Sequence, residues 1–128
     1  MSDIPSDLRY TNDHEWLRTA GTAWRVGITQ FAVNQLGDIT IVELPKVGDL
    51  VTKGQQFGSI ESVKSVSDLL APVSGRVIAV NEALKDSPEN VNESPYDAGW
   101  MIDIEPSDKA ELDELMTPAA YTTLVADA

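Results

Sequence analysis

A mainly β fold is what this sequence predicts: a small β-sandwich or flattened barrel with helical additions. Three observations lead there. Short runs that alternate or are rich in β-branched residues recur along the chain. Glycine, proline and small polar residues interrupt them every few positions. Helix-cap signals occur after the second strand, at Ser87-Pro88 and twice near the C-terminus. The chain has 128 residues, of which 42% are apolar, which suits one domain spanning 1–128 with a core of its own.

Residues 1–9 read as a loose leading segment. His14-Glu15-Trp16-Leu17-Arg18 alternates weakly and suits a first strand, and Gly21-Thr22 suits a turn. In Thr22–Ile28, Trp24, Val26 and Ile28 share one face, while Ala23, Arg25 and Gly27 share the other. The pair forms a hairpin. Thr29 is placed to N-cap a short helix in which Ile28, Ala32 and Leu36 recur at a spacing of four, and Gly37 to end it. Asp38–Leu44 is β-branched and apolar on both faces, so it predicts a strand covered on both sides and ended by Pro45. Glycine turns then flank a very short strand near Val51. Arg76–Asn81 is another strand. Ser87-Pro88 suits a cap followed by a single helical turn. Trp100, Ile102 and Ile104 alternate inward along the next strand, and Trp16 and Trp24 join Trp100 as core anchors. Asp108 and Glu111 have capping-box spacing ahead of Leu112, Leu115 and Met116. Thr117-Pro118 opens a last helix carrying Tyr121, Leu124 and Val125.

Composition narrows the function. There are 21 acidic and 9 basic residues and a net charge of -12, so no basic patch is available for nucleic acid or an anionic membrane. No apolar run approaches the length of a membrane span. The N-terminal residues carry acids and a proline, unlike a secretory or transit segment, so a cytoplasmic, bacterial protein is expected. With no cysteine, disulfides, zinc-thiolate sites and thiol nucleophiles are excluded, and thiol chemistry would need an attached cofactor. The one histidine, His14, reads as a strand-end residue. No nucleophile-elbow serine and no phosphate-binding glycine loop occurs. Intrinsic catalysis is not expected.

The central stretch is Ile60-Glu61-Ser62-Val63-Lys64-Ser65-Val66-Ser67-Asp68. Strand-like runs Gln56–Ile60 and Val66–Leu70 bracket it, so Val63 and Lys64 fall at the tip of a hairpin. Spacing alone makes Lys64 a solvated turn lysine, as most such lysines are.

The motifs carry more. Glu61-Ser62-Val63-Lys64-Ser65-Val66-Ser67-Asp68 followed by Ala71-Pro72-Val73-Ser74-Gly75 strongly resembles the lipoylation site of the glycine cleavage H-protein family. His14-Glu15-Trp16, Val26-Gly27-Ile28-Thr29, Gln35-Leu36-Gly37-Asp38, Val42-Glu43-Leu44-Pro45, Ser94-Pro95-Tyr96 and Gly99-Trp100 resemble the same family in order and spacing. The Gly48-Asp49-x-Val51-x-x-Gly54 pattern is similar to lipoyl and biotinyl carriers in general. Biotin carriers usually place methionine on both sides of their lysine, where this chain has Val63 and Ser65.

The resemblance implies a barrel-sandwich hybrid of the lipoyl type, with a short helix after strand 2 and C-terminal helices. It implies a monomeric carrier, not an enzyme, with lipoate amide-linked to Lys64 and Glu61 read by the lipoylating enzyme. That enzyme would be a lipoate ligase or a lipoyl/octanoyl transferase. The implied partners are a pyridoxal-phosphate glycine decarboxylase, a tetrahydrofolate-dependent aminomethyltransferase and dihydrolipoamide dehydrogenase. The first loads an aminomethyl group from glycine, the second removes it, and the third reoxidises the dithiol. Glu15 and Asp68, with Asp13, would hold the protonated amine in a cleft. The family often has another small polar residue where Asp13 stands. A protein relaying lipoyl groups to other enzymes would use the same Lys64.

Overall fold

The computed structural model describes residues 4–126. Its strands are β1 (Arg9–Tyr10), β2 (Glu15–Ala20), β3 (Ala23–Ile28), β4 (Ile39–Glu43), β5 (Leu50–Val51), β6 (Gln56–Ser62), β7 (Val66–Leu70), β8 (Gly75–Val80) and β9 (Ile102–Pro106). Helices α1 (Gln30–Leu36), α2 (Ala83–Asp86), α3 (Glu89–Glu93) and α4 (Pro118–Ala126) accompany them, with a 3-10 helix over Lys109–Glu114. Six strands form one antiparallel sheet in the order β1-β2-β3-β9-β8-β5, and three form a second in the order β4-β6-β7. Among the described residues no strand pairing joins the two sheets, so they form a sandwich and not a closed barrel.

The inward alternation of β3 and β9 builds the main core. Trp24, Val26, Ile102 and Ile104 meet Val42, Ile60 and Leu69 from the smaller sheet. Burial of this apolar area between sheets is the principal driving term for the fold. A second cluster of Leu8, Tyr10, Trp16 and Tyr121 is packed by Tyr96, Met116, Leu124 and Val125, so α4 covers part of the larger sheet. The Tyr10 and Tyr121 rings stack at 4.5 Å with an 8° interplanar angle. Trp16 approaches so closely that a Cβ at Gly27 would lie 2.6 Å from its ring, and its indole N–H donates to the Pro95 carbonyl at 3.0 Å. Glycine is therefore required at position 27 by space.

Several expectations change. Asp38–Leu44 is not covered on both sides: β4 is an edge strand, and Ile41 is 48% exposed. β-branched composition marks a strand but not how many of its faces are buried. The leading segment is anchored, because Leu8 is fully buried and β1 pairs with β2; residues 1–3 lie outside the described residues. Trp100 is only half-buried and precedes its strand, with the Arg25 guanidinium 4.0 Å from the centre of its ring. A cation–π contact with a strand neighbour replaces deeper burial. Ser87 gives no side-chain cap to α3, and a further short helix, α2, forms where the sequence carries no helix signal. Asp108 does cap its helix, accepting from Ala110 N, but that helix is 3-10 and Glu111 turns away to accept from Ser74 N (2.7 Å) and Ser74 Oγ (3.2 Å). Thr29 and Gly37 cap α1 as expected, and Thr117 accepts from Ala120 N at the start of α4. No helix among the described residues is long and apolar enough to cross a membrane.

Candidate functional site

Lys64 is exposed in the turn joining β6 to β7. No Asn-Gly pair makes this turn; Ser62 makes it. Its hydroxyl accepts from Lys64 N (3.2 Å) and Ser65 N (3.1 Å), while Ser62 N donates to Ser65 O (2.8 Å). A serine side chain that bonds to the backbone two and three residues on is a turn-former in its own right. That was the local signal available at position 62. One further bond ties the tip to the body: Val63 N donates to Asp38 O at 3.1 Å.

The loop that offers Asp38 is itself clamped. Asn92 of α3 accepts from Ile39 N and donates to Gly37 O, both at 2.8 Å. Gly37 has φ +80, a left-handed backbone that suits glycine. The Lys64 side chain lies over it: a Cβ at position 37 would stand 3.4 Å from Lys64 Cε. The aliphatic stem of Lys64 thus lies against the C-terminal end of α1, a helix that also walls a cleft.

That cleft has a volume of about 110 Å3. Its apolar lining is Ile28, Ala32, Leu36, Ile60 and Leu69; its polar lining is Asp13, His14, Glu15, Gln35, Ser67 and Asp68. Three carboxylates from β2, its preceding turn and β7 therefore share one depression, beside the helix over which Lys64 lies. Their settings differ. Asp13 and Asp68 are exposed, whereas Glu15 is 2% exposed. Strand register puts Asp68 opposite Ser59, one position out of phase with the Ile60–Ser67 pair. Ile60 is buried, so alternation directs Ser67 inward and leaves Asp68 at the rim. Ser67 is a cleft residue that sequence reasoning missed; its period-two relation to Leu69 is the signal that would have found it.

Glu15 is held at both oxygens. Thr11 Oγ1 donates to Oε1 at 2.6 Å, and Leu70 N lies 3.4 Å from Oε2. Burial pushes its pKa from 4.5 up to about 7, the bonds from Thr11 and Leu70 opposing the rise and Asp13 adding to it. A carboxyl group so poised takes up or releases a proton near neutrality. Glu15 also borders a second cavity of about 390 Å3, whose other walls include Tyr10, Lys53, Leu70 and Glu114. It therefore forms part of the partition between two spaces.

His14 adopts φ 72, unusual for a residue with a Cβ. Thr29 N donates to its carbonyl (2.9 Å), its Nδ1 lies 2.9 Å from Tyr121 Oη, and its ring rests 4.7 Å from Phe31. Tyr121 Oη also lies 2.7 Å from Thr29 Oγ1. Burial lowers the His14 pKa against the pull of Asp13, which keeps the ring neutral at pH 7. This network locks the turn ahead of β2 to the start of α1, one cleft wall to the other.

Glu61, three residues before Lys64, is half-buried on the outer face of the smaller sheet. Register pairs it with Ile41 on one side and Val66 on the other, and both neighbours are exposed. It stands as an acid between two apolar side chains, on the same hairpin as Lys64 and outside the cleft.

Comparisons with known proteins agree with this geometry. The family model described as Glycine cleavage H-protein matches residues 8–128. The glycine cleavage system H protein of Anaeromyxobacter sp. (strain K) is 59% identical, covering 96% of this chain and 96% of that protein. The one from Myxococcus xanthus (strain DK1622) is 56% identical, covering 98% of each. A crystal structure of a glycine cleavage system H protein from Mycobacterium marinum matches with a TM-score of 0.89 at 43% identity, over 96% of this chain and 99% of that one. With nearly the whole length matched in sequence and in fold, this chain belongs to the glycine cleavage H-protein family.

Proposed function

We propose that this chain is the lipoyl-lysine carrier of a glycine cleavage system, and that Lys64 is the attachment site. The observation that carries the reading is the placement of Lys64: exposed at a braced hairpin tip, its stem against Gly37, near a cleft lined by apolar side chains and three carboxylates. These residues suit the group. A lipoyl arm is an aliphatic chain ending in a dithiolane, and Ile28, Ala32, Leu36, Ile60 and Leu69 offer it apolar contact. When bound, lipoate supplies the disulfide that accepts both electrons and a carbon unit, chemistry that a cysteine-free chain lacks.

The protein's own residues do the holding. The hairpin presents Lys64 to a ligase or lipoyl/octanoyl transferase, with Glu61 and its flanking Ile41 and Val66 as the surface that enzyme reads. Glu15 receives the ammonium of an aminomethyl cargo through a charge-assisted hydrogen bond. Asp68 and Asp13 add negative potential at the rim. The apolar walls exclude water from the cargo. The protein then serves three enzymes in turn: glycine decarboxylase, the tetrahydrofolate-dependent aminomethyltransferase and dihydrolipoamide dehydrogenase. It acts in the cytoplasm of a bacterium as substrate of all three and catalyst of none.

The test is the intact mass of the protein after incubation with a lipoate ligase, ATP and lipoate, beside Lys64→Ala. The expected result is an increment of one lipoyl group on the natural chain and none on the variant. An unmodified natural chain, in a reaction where a control lipoyl domain is labelled, sinks the proposal.

A further inference from the structure

Thr11 takes no part in the apolar walls or the hairpin, yet its hydroxyl is fully committed. It accepts from Asp13 N (3.2 Å) and Glu15 N (3.1 Å) and donates to Glu15 Oε1 (2.6 Å). A hydroxyl has one proton and two lone pairs, so these three bonds exhaust it. With both lone pairs taken by amide N–H groups, Thr11 can only donate toward Glu15. It cannot accept a proton from a carboxyl O–H.

We propose that Thr11 is a positioning residue that gives the two oxygens of Glu15 different tasks. It fixes Oε1 as the acceptor of its hydroxyl proton and leaves Oε2 as the oxygen that meets a primary ammonium. In the neutral acid, the proton must then sit on Oε2, because Oε1 already faces a donor. In the carboxylate, Oε2 receives the long 3.4 Å approach of Leu70 N and keeps acceptor capacity for a cation. The same oxygen carries either the proton or the ammonium, so arrival of the amine and loss of the proton are coupled at one atom. Thr11 also favours the ionised form, since its bond strengthens with the charge it faces.

The other charges near Glu15 are accounted for. Asp13 and His14 flank it on its own turn, and Asp68 lies across the cleft on β7. Tyr121 of α4 has its phenol pushed up to about 12, mainly by burial, and stays neutral. Lys53 and Glu114 border the larger cavity but are paired with each other at 2.6 Å. Among these groups, Thr11 is the one bonded to Oε1.

The inference rests on the reading of Glu15 as the amine's holder, and the experiment separates the two. The first readout needs no lipoate: the 13C titration of the Glu15 carboxyl in the unmodified chain. Thr11→Val should move its midpoint upward, and Thr11→Ser, which restores the hydroxyl, should return it. In the natural chain the Thr11 Cβ resonance should titrate with the same midpoint, which needs no variant. The second readout is the lifetime of the aminomethyl group on the lipoylated protein after loading with glycine and the decarboxylase. Thr11→Val should shorten it about fivefold at pH 7, if the midpoint rises by about one unit. The difference should close toward pH 9, where Glu15 is ionised in both proteins. An unmoved midpoint in Thr11→Val, a Thr11 resonance that ignores the Glu15 titration, or a lifetime shortened equally at every pH overturns the proposal. Glu15→Gln tests the parent reading: if its loaded lifetime equals that of the natural chain, Glu15 does not hold the amine, whatever the Thr11 titrations show.

Discussion

The hairpin that presents Lys64 and the turn that presents Glu15 differ in what holds them. Ser62 organises the first through bonds two and three residues away, and Asp38 adds one more. Val63 and Val66 beside Lys64 are 68% and 64% exposed. The second is held across the fold: Leu70, 55 residues on, faces the Glu15 carboxyl, and Tyr121, 107 residues on, meets His14. The contrast follows from the tasks proposed for them. An attachment lysine must be reached by an enzyme, so its support is local and leaves the surface open. A carboxyl group that handles charge at neutral pH must be partly desolvated, and desolvation requires neighbours from several elements. Solvent can substitute for bonds in the hairpin but not in the turn, and that difference sets the size of the effects expected below.

The largest effect belongs to Glu15. Its pKa is about 7 in the fold against 4.5 for the free side chain, so between those values the folded protein keeps a proton that the unfolded chain has released. Its contribution to stability is therefore fully present below pH 4.5 and is lost as pH rises through about 7. Glu15→Gln cannot titrate. Relative to the natural chain, the variant should gain about 3 kcal/mol in unfolding free energy between pH 4.5 and pH 8. Urea denaturation at both pH values measures it. A stability difference that does not change with pH would mean that Glu15 is solvated like Asp68, and the contrast between the two regions would collapse.

Asn92 comes next. It makes two 2.8 Å bonds to the backbone of Gly37 and Ile39 in a half-buried site. Asn92→Ala leaves an N–H and a C=O with restricted access to water, which should cost about 2 kcal/mol. The loop it clamps also supplies Asp38 O to the hairpin. The variant should therefore raise the hydrogen-exchange rate of the Val63 amide in particular. A Val63 exchange rate no faster than that of the natural chain would show that the hairpin stands without the body.

What was legible in the sequence divides along the same line. The caps of α1 at Thr29 and Gly37, the Thr117-Pro118 start of α4 and the hairpin around Lys64 are set by residues within a few positions of each other, and they were readable. So was the inward face of Trp24, Val26 and Ile28, because period two persists whatever packs against it. Trp100 was misplaced because its partner, Arg25, comes from another strand. Glu111 has capping-box spacing but accepts from Ser74, 37 residues away in the β7–β8 loop, a partner that no local spacing reveals. The left-handed backbone of His14 and the burial of Glu15 depend on Thr29, Tyr121 and Leu70, which no local pattern specifies. The positions of Glu15 and Asp68 came from motif resemblance; the difference in their exposure came only from the fold.

The smallest effect sharpens the comparison most directly, because Ser62 and Asn92 perform the same operation. Each side chain satisfies two backbone groups in a connecting segment. Ser62 accepts at 3.2 and 3.1 Å in an exposed turn, Asn92 bonds at 2.8 Å twice in a half-buried one. If bond number set the contribution, Ser62→Ala and Asn92→Ala would cost alike. If burial sets it, water replaces the Ser62 hydroxyl and the cost falls to about 0.5 kcal/mol, a quarter of that for Asn92. The turn would still lose definition, so the rate of lipoylation at Lys64 should drop a fewfold while the unfolding midpoint hardly moves. Equal destabilisation in the two variants, measured under one set of denaturant conditions, would show that the hairpin tip contributes to the fold as a whole and is not merely a presented surface.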